Sequence, residues 1–250
     1  MSGKIRRLNR LFVGKEKHCL LSPLDHGGWL GPVKGLDNPT WIVSEVLAGG
    51  ANALLASPGF LRVAAPVIPS NVGIVLRVSL TAGLSKQGTQ ETPIATIDSA
   101  IRMDADAIAI SVFFGRDGDI EIYQWLAAMI EECRPYEIPV IAEMMPPENV
   151  AYDAKAIAHA ARIGMEIGAD VIKTNYCGNV EAFRQVVNSV PIPIIVAGGP
   201  KSSDEGENAT SKMAKDAIEA GAMGVAIGRR VWQSENPKEV TKKVASVLWS

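Results

Sequence analysis

The chain has 250 residues, of which 47% are hydrophobic and 21% charged, and its formal net charge at pH 7 is −2. This composition excludes a disordered chain, and the length is typical of one barrel-sized domain rather than two. A chain without a basic field is not expected to bind nucleic acid or an anionic membrane, so affinity for a phosphate requires a local site.

The three cysteines, Cys19, Cys133 and Cys177, are far apart and form no C-x-x-C pair. They predict neither a disulfide framework nor a zinc site, which indicates a reducing, cytoplasmic compartment. No cluster of metal ligands is visible, so we expect no metal and no other cofactor. Residues 1–17 are basic and partly amphipathic, and we expect a helical extension there within a single domain of residues 1–250.

Eight short apolar runs predict strands. Each run is nearly continuous in apolar character, which is typical of parallel strands that are buried on both faces. The predicted strands are Cys19–Leu24, Ala51–Ser57, Gly73–Ser79, Asp106–Val112, Pro139–Met144, Asp170–Asn175, Pro193–Gly198 and Gly224–Arg229.

Amphipathic segments between these runs predict helices. They are Pro39–Ala48, Ile94–Met103, Gly118–Arg134, Asp153–Gly168, Val180–Asn188, Glu207–Gly221 and Pro237–Leu248, with a weaker, short or irregular segment at Pro58–Ile68. Similar phrases at Gly49, Gly168 and Gly221 indicate a glycine that ends a helix and a tight turn into the next strand.

The eight β–α units, without an internal linker, predict an α/β fold with a single closed (β/α)8 TIM barrel; an open, doubly wound sheet is the alternative. In a barrel, the loops that follow the strands converge on one mouth, where function is expected. The polar or glycine residues at these positions are Asp25, His26, Arg77, Ser79, Glu143, Lys173, Asn175, Tyr176, Gly198, Gly199, Gly228 and Arg229.

Lys173 lies in an otherwise apolar strand and shares a face with Val171. A lysine that points into a barrel is desolvated, which lowers the pKa of its amine and suits it to Schiff-base chemistry. The alternative is a lysine that extends outward or binds phosphate as a plain cation.

Glycine pairs after the last two strands indicate a phosphate-bearing substrate. Gly198–Gly199 and Gly228 allow an anion to approach backbone N–H groups, and Arg229 can add a bidentate contact. Glycines at strand ends are also ordinary turn residues, but two such sites in the last two units match the usual phosphate position of these barrels.

Four other side chains are candidates at the mouth. Asp25 can move the hydroxyl proton that carbon–carbon cleavage releases, although a turn-capping role is the alternative. His26 next to it is more often a structural histidine than a catalyst. Arg77, a candidate substrate ligand, requires an anionic partner if it is buried, and Glu143 and Asp25 are available.

The stretches PLDHGGWLGPVKGL, ADVIKTNYCG, VAGGP and VAIGRRVWQ occur in this order over nearly the whole chain. Together they resemble the DeoC/LacD-type, archaeal-style class I aldolases. That family includes fructose-bisphosphate aldolase, 2-amino-3,7-dideoxy-D-threo-hept-6-ulosonate synthase and the autoinducer-2 thiolase. The resemblance implies a metal-independent carbon–carbon lyase for a phosphorylated ketose-like substrate, and a homo-oligomer such as a decamer of two pentamers.

The same resemblance implies roles for individual residues. Lys173 would form the Schiff base, Asp25 would be the acid/base group, and Gly199, Gly228 and Arg229 would belong to the phosphate pocket. One position departs from the family pattern: its Tyr-Pro-Arg-Gly motif supplies a proton-donating tyrosine, and Met145 stands in that place here. A thioether cannot transfer a proton.

This departure leaves several hypotheses open. His26, Glu143 or Tyr176 could take the catalytic proton instead, or the substrate differs. Thiolase-like members also lack the tyrosine, so an acyl transferase acting on a phosphorylated dione is an alternative. An isomerase or FMN-binding barrel would use no imine, and Lys173 would then only neutralise charge. A binding or regulatory barrel without activity is a further alternative, against which the retained Lys173 and Asp25 argue.

Overall fold

The computed structural model describes residues 2–199 and 208–249, and in it eight parallel strands form a closed barrel. The strands in chain order are β1 (Cys19–Pro23), β2 (Ala53–Ala56), β3 (Gly73–Arg77), β4 (Ser79–Thr81), β5 (Glu91–Pro93), β6 (Ala107–Phe113), β7 (Val140–Met145), β8 (Val171–Asn175), β9 (Ile194–Ala197) and β10 (Gly224–Ala226). The order around the barrel is β1-β10-β9-β8-β7-β6-β3-β2, while β4 and β5 form a separate hairpin.

Pairing of the first and last strands closes the barrel. Cys19 lies opposite Gly224, and Leu21 lies opposite Ala226, in parallel register. The predicted (β/α)8 barrel is therefore confirmed, and the open-sheet alternative is wrong.

Helices cover the outside of the barrel, and their ends follow sequence signals. They are α1 (Gly3–Leu11), α2 (Gly27–Leu30), α3 (Pro39–Ala48), α4 (Pro58–Ala64), α5 (Ile97–Arg102), α6 (Asp119–Cys133), α7 (Ala154–Glu166), α8 (Val180–Asn188), α9 (Ala209–Glu219), α10 (Arg229–Trp232) and α11 (Pro237–Leu248). The side chains of Asn38, Asp153, Asn179 and Asn236 cap α3, α7, α8 and α11 by accepting backbone N–H groups. None of the described helices is long and apolar enough to cross a membrane.

Three glycines explain the repeated phrases in the sequence. Gly50, Gly168 and Gly221 have φ values of 101°, 98° and 102°, a conformation that side chains with a Cβ rarely adopt. At each one the chain leaves a helix and turns directly into β2, β8 or β10. The glycines are thus required where helix and barrel strand join with almost no loop.

Two apolar layers hold the fold together. The outer layer lies between the strands and the helices, and the inner layer fills the barrel. The inner layer includes Leu21, Val75 and Val171, and Leu11 and Phe12 at the end of α1 pack into it. The N-terminal helix therefore closes the lower end of the barrel and leaves the opposite end for the site.

The sequence patterns missed the β4–β5 hairpin. The third predicted strand was expected to reach Ser79, but β3 ends at Arg77, and Ser79 pairs with Pro93 in the hairpin. The helix expected from Ile94 starts at Ile97, because Ile94 donates its N–H to the carbonyl of Val78. The last predicted strand was expected to reach Arg229, but β10 ends at Ala226, and Arg229 begins α10. Residues 200–207, where one predicted helix began, lie outside the described residues.

Candidate active site

A cavity of about 370 Å³ opens at the carboxyl ends of the barrel strands. All of the polar and glycine residues predicted at the mouth except Ser79 and Tyr176 line it, namely Asp25, His26, Arg77, Glu143, Lys173, Asn175, Gly198, Gly199, Gly228 and Arg229. The barrel topology brings these distant residues together, because parallel strands end at the same mouth.

Lys173 lies in β8 with only 5% of its surface exposed. It is paired with Glu143 of β7 in the strand register, and its Nζ donates a short hydrogen bond to Oε1 of that carboxylate. Val171, two residues earlier, packs inside the barrel, so the expected common face of Val171 and Lys173 is present. The strand pattern predicted burial of the amine but did not predict its carboxylate partner.

Arg77 connects the acidic groups of the site. Its Nε donates to Oδ2 of Asp25, and one terminal nitrogen donates to Oε2 of Glu143, each at 2.6 Å. The other terminal nitrogen donates to the Ser111 hydroxyl at 2.6 Å, and Ser111 in turn donates to Glu143 at 2.7 Å. The two anionic partners predicted for Arg77, Asp25 and Glu143, are thus both in contact with it. Its guanidinium N–H groups donate to protein side chains.

These contacts keep Asp25 and Glu143 ionised. Burial alone would raise the pKa of Asp25, but the Arg77 guanidinium, with His26 and Lys173, holds that pKa far below its usual range. Burial opposes the ionised form of Glu143 as well, but Lys173 and Arg77 lower its pKa to about 2. At neutral pH both side chains are therefore carboxylates in the resting site, where they can accept a proton but hold none to donate.

His26 lies beside Asp25 and faces the cavity. Its Nδ1 is 3.3 Å from Oδ1 of Asp25. This nitrogen is buried and has no hydrogen-bond partner of good geometry among the described residues. The ring packs against Trp232 with 5.5 Å between centroids. A Cβ on Gly228 would come within 3.2 Å of the His26 ring, so a side chain at this position would require the ring to shift by a few tenths of an ångström.

The loops after β9 and β10 form the side of the cavity expected to bind phosphate. Gly199 has a φ of 64°, and the carbonyl of Gly198 accepts a hydrogen bond of 2.5 Å from Nε of Arg230. Arg229 begins α10 and lines the cavity, while the N–H groups of Val231 and Trp232 in the same short helix donate to the carbonyl of Gly228. Burial lowers the pKa of Arg229, but a guanidinium stays charged at neutral pH.

Tyr176 is not placed where the sequence analysis expected it. It follows β8 at a position that alternates away from Lys173, and its ring packs against Phe183 in the outer layer with 5.3 Å between centroids. Burial raises the pKa of its hydroxyl to about 12. Since Tyr176 does not line the cavity, it is not positioned to exchange a proton with a substrate there.

The structure adds residues that the sequence argument did not select. Ser111 could have been found, because it lies on the same face of β6 as Ala107 and Ala109, which point into the barrel. Glu91 of the hairpin also lines the cavity, but no motif or strand pattern marks it. Met145 lines the cavity too, so the family tyrosine is replaced within the site itself.

Comparison with known proteins agrees with this geometry. The model of the DeoC/LacD family aldolase matches residues 19–234. The chain belongs to this aldolase family. This aldolase-family protein is 34% identical to a 2-amino-3,7-dideoxy-D-threo-hept-6-ulosonate synthase of Halobacterium salinarum, over 99% of the chain and 92% of that protein. It is 28% identical to a 2-amino-4,5-dihydroxy-6-oxo-7-(phosphonooxy)heptanoate synthase of Streptomyces griseus, over 97% of the chain and 89% of that protein.

Solved structures resemble the aldolase-family protein in fold. An archaeal fructose-1,6-bisphosphate aldolase, whose catalytic lysine is covalently bound to the carbinolamine intermediate, aligns with a TM-score of 0.87 and 22% identity. The alignment covers 99% of this chain and 100% of that one. A second structure of an archaeal fructose 1,6-bisphosphate aldolase gives a TM-score of 0.85 and 23% identity, over 98% of both chains. The barrel architecture is therefore that of the archaeal aldolases.

Proposed function

We propose that this protein is a class I aldolase-type carbon–carbon lyase or transferase that holds a phosphorylated ketose-like substrate as a Schiff base on Lys173. The observation that carries the proposal is the buried Lys173 amine, which lies in an open cavity beside the ionised carboxylates of Glu143 and Asp25. Membership of the aldolase family supports the reaction class.

The first step is imine formation. Lys173 gives up a proton, for which Oε1 of Glu143 is the acceptor already in contact, and Nζ attacks the substrate carbonyl carbon. Proton transfer from nitrogen to oxygen gives the carbinolamine. Its hydroxyl then leaves as water with the proton that Glu143 had accepted, so that an iminium ion and the Glu143 carboxylate remain. Because the lysine lies on a barrel strand between β7 and β9, its amine is held in one position for this attack.

The second step is cleavage of the carbon–carbon bond. Asp25 removes the proton from the substrate hydroxyl, the bond breaks with release of an aldehyde, and the electron pair moves into the iminium to form an enamine. Arg77 fixes Oδ2 of Asp25, which leaves Oδ1 to act as the base. Carbon–carbon bond formation is the reverse of this step: the enamine attacks the aldehyde, and Asp25 returns the proton to the new hydroxyl.

The loops at Gly198–Gly199 and Gly228–Arg229 are proposed to bind the substrate phosphate. The positive φ of Gly199 and the cavity-lining guanidinium of Arg229 support this role. The names of relatives include a phosphonooxy product and a bisphosphate, which supports a phosphorylated substrate. The proposed chemistry uses side chains alone and needs no metal or other cofactor.

Met145 favours one second candidate function. A thioether in place of the family tyrosine is compatible with a thiolase-like acyl transferase that acts on a phosphorylated dione. Family membership favours these two reactions over an isomerase or an FMN-dependent enzyme that forms no imine. Cleavage of ketose phosphates and acyl transfer from a dione, measured side by side, distinguish the two candidates.

Borohydride trapping tests the proposed function. A panel of phosphorylated ketoses with borohydride is expected to add one reduced adduct, detected by intact mass and mapped to Lys173 by peptide digestion. Lys173→Met removes the adduct, whereas Lys155→Met, at an exposed lysine of α7, retains it. An unchanged mass over the whole panel, or an adduct on another lysine, contradicts the assignment.

We also propose a cytoplasmic homo-oligomer. Exposed aromatic side chains on the outer helices support subunit contacts, with Trp41 43% and Trp249 38% exposed. The cysteines at positions 19, 133 and 177 are unpaired, which supports a reducing compartment. Light scattering coupled to gel filtration measures the assembly, and a monomeric mass contradicts the oligomer.

A further inference from the structure

Glu91 is a partly buried acid at the cavity that the steps above do not use. It lies at the start of β5, opposite Thr81 of β4, so the hairpin holds it over the barrel mouth. Its Oε2 is buried and has no hydrogen-bond partner among the described residues. An unpartnered carboxylate oxygen is costly to bury, whereas a protonated carboxyl group is much less so.

The charges around Glu91 set it apart from the other carboxyl groups of the site. Burial, together with the nearby carboxylates of Glu143 and Asp25, outweighs the influence of Arg77 and the Ser79 hydroxyl and raises the pKa of Glu91 to about 7. Other cations, Lys173, Arg116 and Arg229, line the same cavity. Glu91 is therefore populated in both protonation states near neutral pH, unlike Asp25 and Glu143.

We propose that Glu91 is the acid–base residue that exchanges a proton with the substrate carbon next to the imine on Lys173. Neutral Glu91 gives its proton to the enamine carbon, the enamine electron pair forms the new C–H bond, and the nitrogen lone pair completes the iminium. Glu91 is left as a carboxylate and takes a proton from solvent after water releases the ketone. In the opposite direction the Glu91 carboxylate removes the proton from the carbon next to the iminium, and the enamine forms again.

Other groups in the site are less suited to this role. Met145 has no proton to give, and Tyr176 is packed in the outer layer. Arg77 holds Asp25 and Glu143 as carboxylates in the resting site, and the protons that they accept in the steps above are those of the substrate hydroxyl and of Lys173. Glu91 lines the cavity, and its Oε2 accepts no hydrogen bond from the described residues.

Hydrogen exchange of a bound ketone tests this role, which rests on the proposed Schiff base. Wild-type enzyme with dihydroxyacetone phosphate in D2O is expected to exchange the hydrogens on the carbon next to the carbonyl, as followed by NMR. Glu91→Gln keeps the size of the side chain but cannot transfer the proton, so exchange should fall by about 10²-fold or more. Borohydride trapping of the same ketone on Lys173 should be retained.

The pH profile supplies a second measurement. If removal of the proton by the Glu91 carboxylate limits exchange, the wild-type rate rises as the pH passes through about 7. The inflection disappears in Glu91→Gln and is recovered, with a lower rate, in Glu91→Asp. Glu121→Gln, at an exposed carboxyl of α6, should retain both the rate and the inflection.

The outcomes separate the two proposals. Normal trapping with exchange within twofold of wild type in Glu91→Gln overturns the role of Glu91 and leaves the Schiff base intact. Loss of both trapping and exchange in a folded Glu91→Gln, checked by circular dichroism, shows a role in building the site and also overturns it. Absence of trapping in the wild type itself overturns the proposed function and the inference together.

Discussion

Lys173 and Glu143 occupy paired positions on neighbouring strands β8 and β7, and the lysine amine donates to one oxygen of the carboxylate. The other oxygen of Glu143 accepts from Arg77 at 2.6 Å. One carboxylate thus separates two buried cations and fixes the position of the amine. Without it Lys173 would lose the carboxylate that it contacts and Arg77 would keep only Asp25, and a buried charge that loses its partner is strongly unfavourable.

Glu143→Gln is therefore expected to destabilise the protein. Lowering the pKa of Glu143 from 4.5 to about 2 corresponds to stabilisation on the order of 3 kcal/mol at neutral pH. Because the folded-state pKa is depressed, this contribution is complete above about pH 4.5 and is lost as the pH falls toward 2. Urea unfolding is measured at pH 7 and at several values between pH 5 and 3. Glu143→Gln should have a lower free energy of unfolding than wild type at pH 7, and this free energy should fall less steeply as the pH is lowered.

The exposed carboxyl of Glu121 provides the control for this measurement. Glu121→Gln should leave the free energy of unfolding within about 0.5 kcal/mol of wild type, as is usual for surface substitutions. Equal stability of Glu143→Gln and wild type at pH 7 would contradict the view that this carboxylate balances Arg77 and Lys173.

The fold could be predicted because local signals agreed with the global arrangement. Proline at the start and an asparagine cap define Pro39–Ala48 and Pro237–Leu248, and both helices have the predicted bounds. The hairpin could not be predicted in this way. Ser79 and Pro93 are separated by a polar, glycine-containing loop, and their pairing depends on how that loop folds back over the barrel.

The site could be predicted for residues whose positions follow from the direction of a strand and the alternation of its side chains. Lys173, Glu143 and Arg77 lie at the ends of strands whose inward faces follow from alternation. The same alternation applied to Tyr176 would have excluded it, since Tyr176 lies three positions after Lys173 and an odd step places a side chain on the opposite face. Glu91 reaches the cavity through the hairpin, so its place depends on tertiary structure that the sequence pattern does not contain.

Asp25→Asn tests the base for the substrate hydroxyl. The amide cannot accept the proton, so aldol turnover should fall by about 10²-fold or more, as expected for loss of general base catalysis. Imine formation depends on Lys173 and Glu143, so borohydride trapping on Lys173 should still be observed. Turnover at the wild-type rate in this variant would remove Asp25 from the mechanism.

Arg229→Ala tests the proposed phosphate pocket. Loss of a charge-assisted contact should weaken binding of a phosphorylated substrate by about 1.5–3 kcal/mol, while a dephosphorylated analogue should bind almost as before. Isothermal titration with the two ligands measures the difference. Arg102→Ala, at an exposed arginine of α5, should affect neither ligand. Equal losses for both ligands in Arg229→Ala would indicate that the arginine supports the loop structure instead.

Met145→Tyr tests whether the site lacks only the hydroxyl that other family members carry. Met145 ends β7 and lines the cavity, so a tyrosine introduced there would carry a hydroxyl into the site. If the protein is a true aldolase, this variant should cleave a simple ketose bisphosphate faster than wild type, because general acid–base assistance contributes about 10²–10⁴-fold. Met145→Phe is the matched control, since it adds the ring without the hydroxyl. In a Glu91→Gln background, Met145→Tyr should also recover part of the lost carbon–hydrogen exchange. A thiolase-like enzyme would gain nothing from the hydroxyl in either background. Equal rates for the tyrosine and phenylalanine variants also in the Glu91→Gln background, where the proposed donor is absent, would contradict the aldolase assignment.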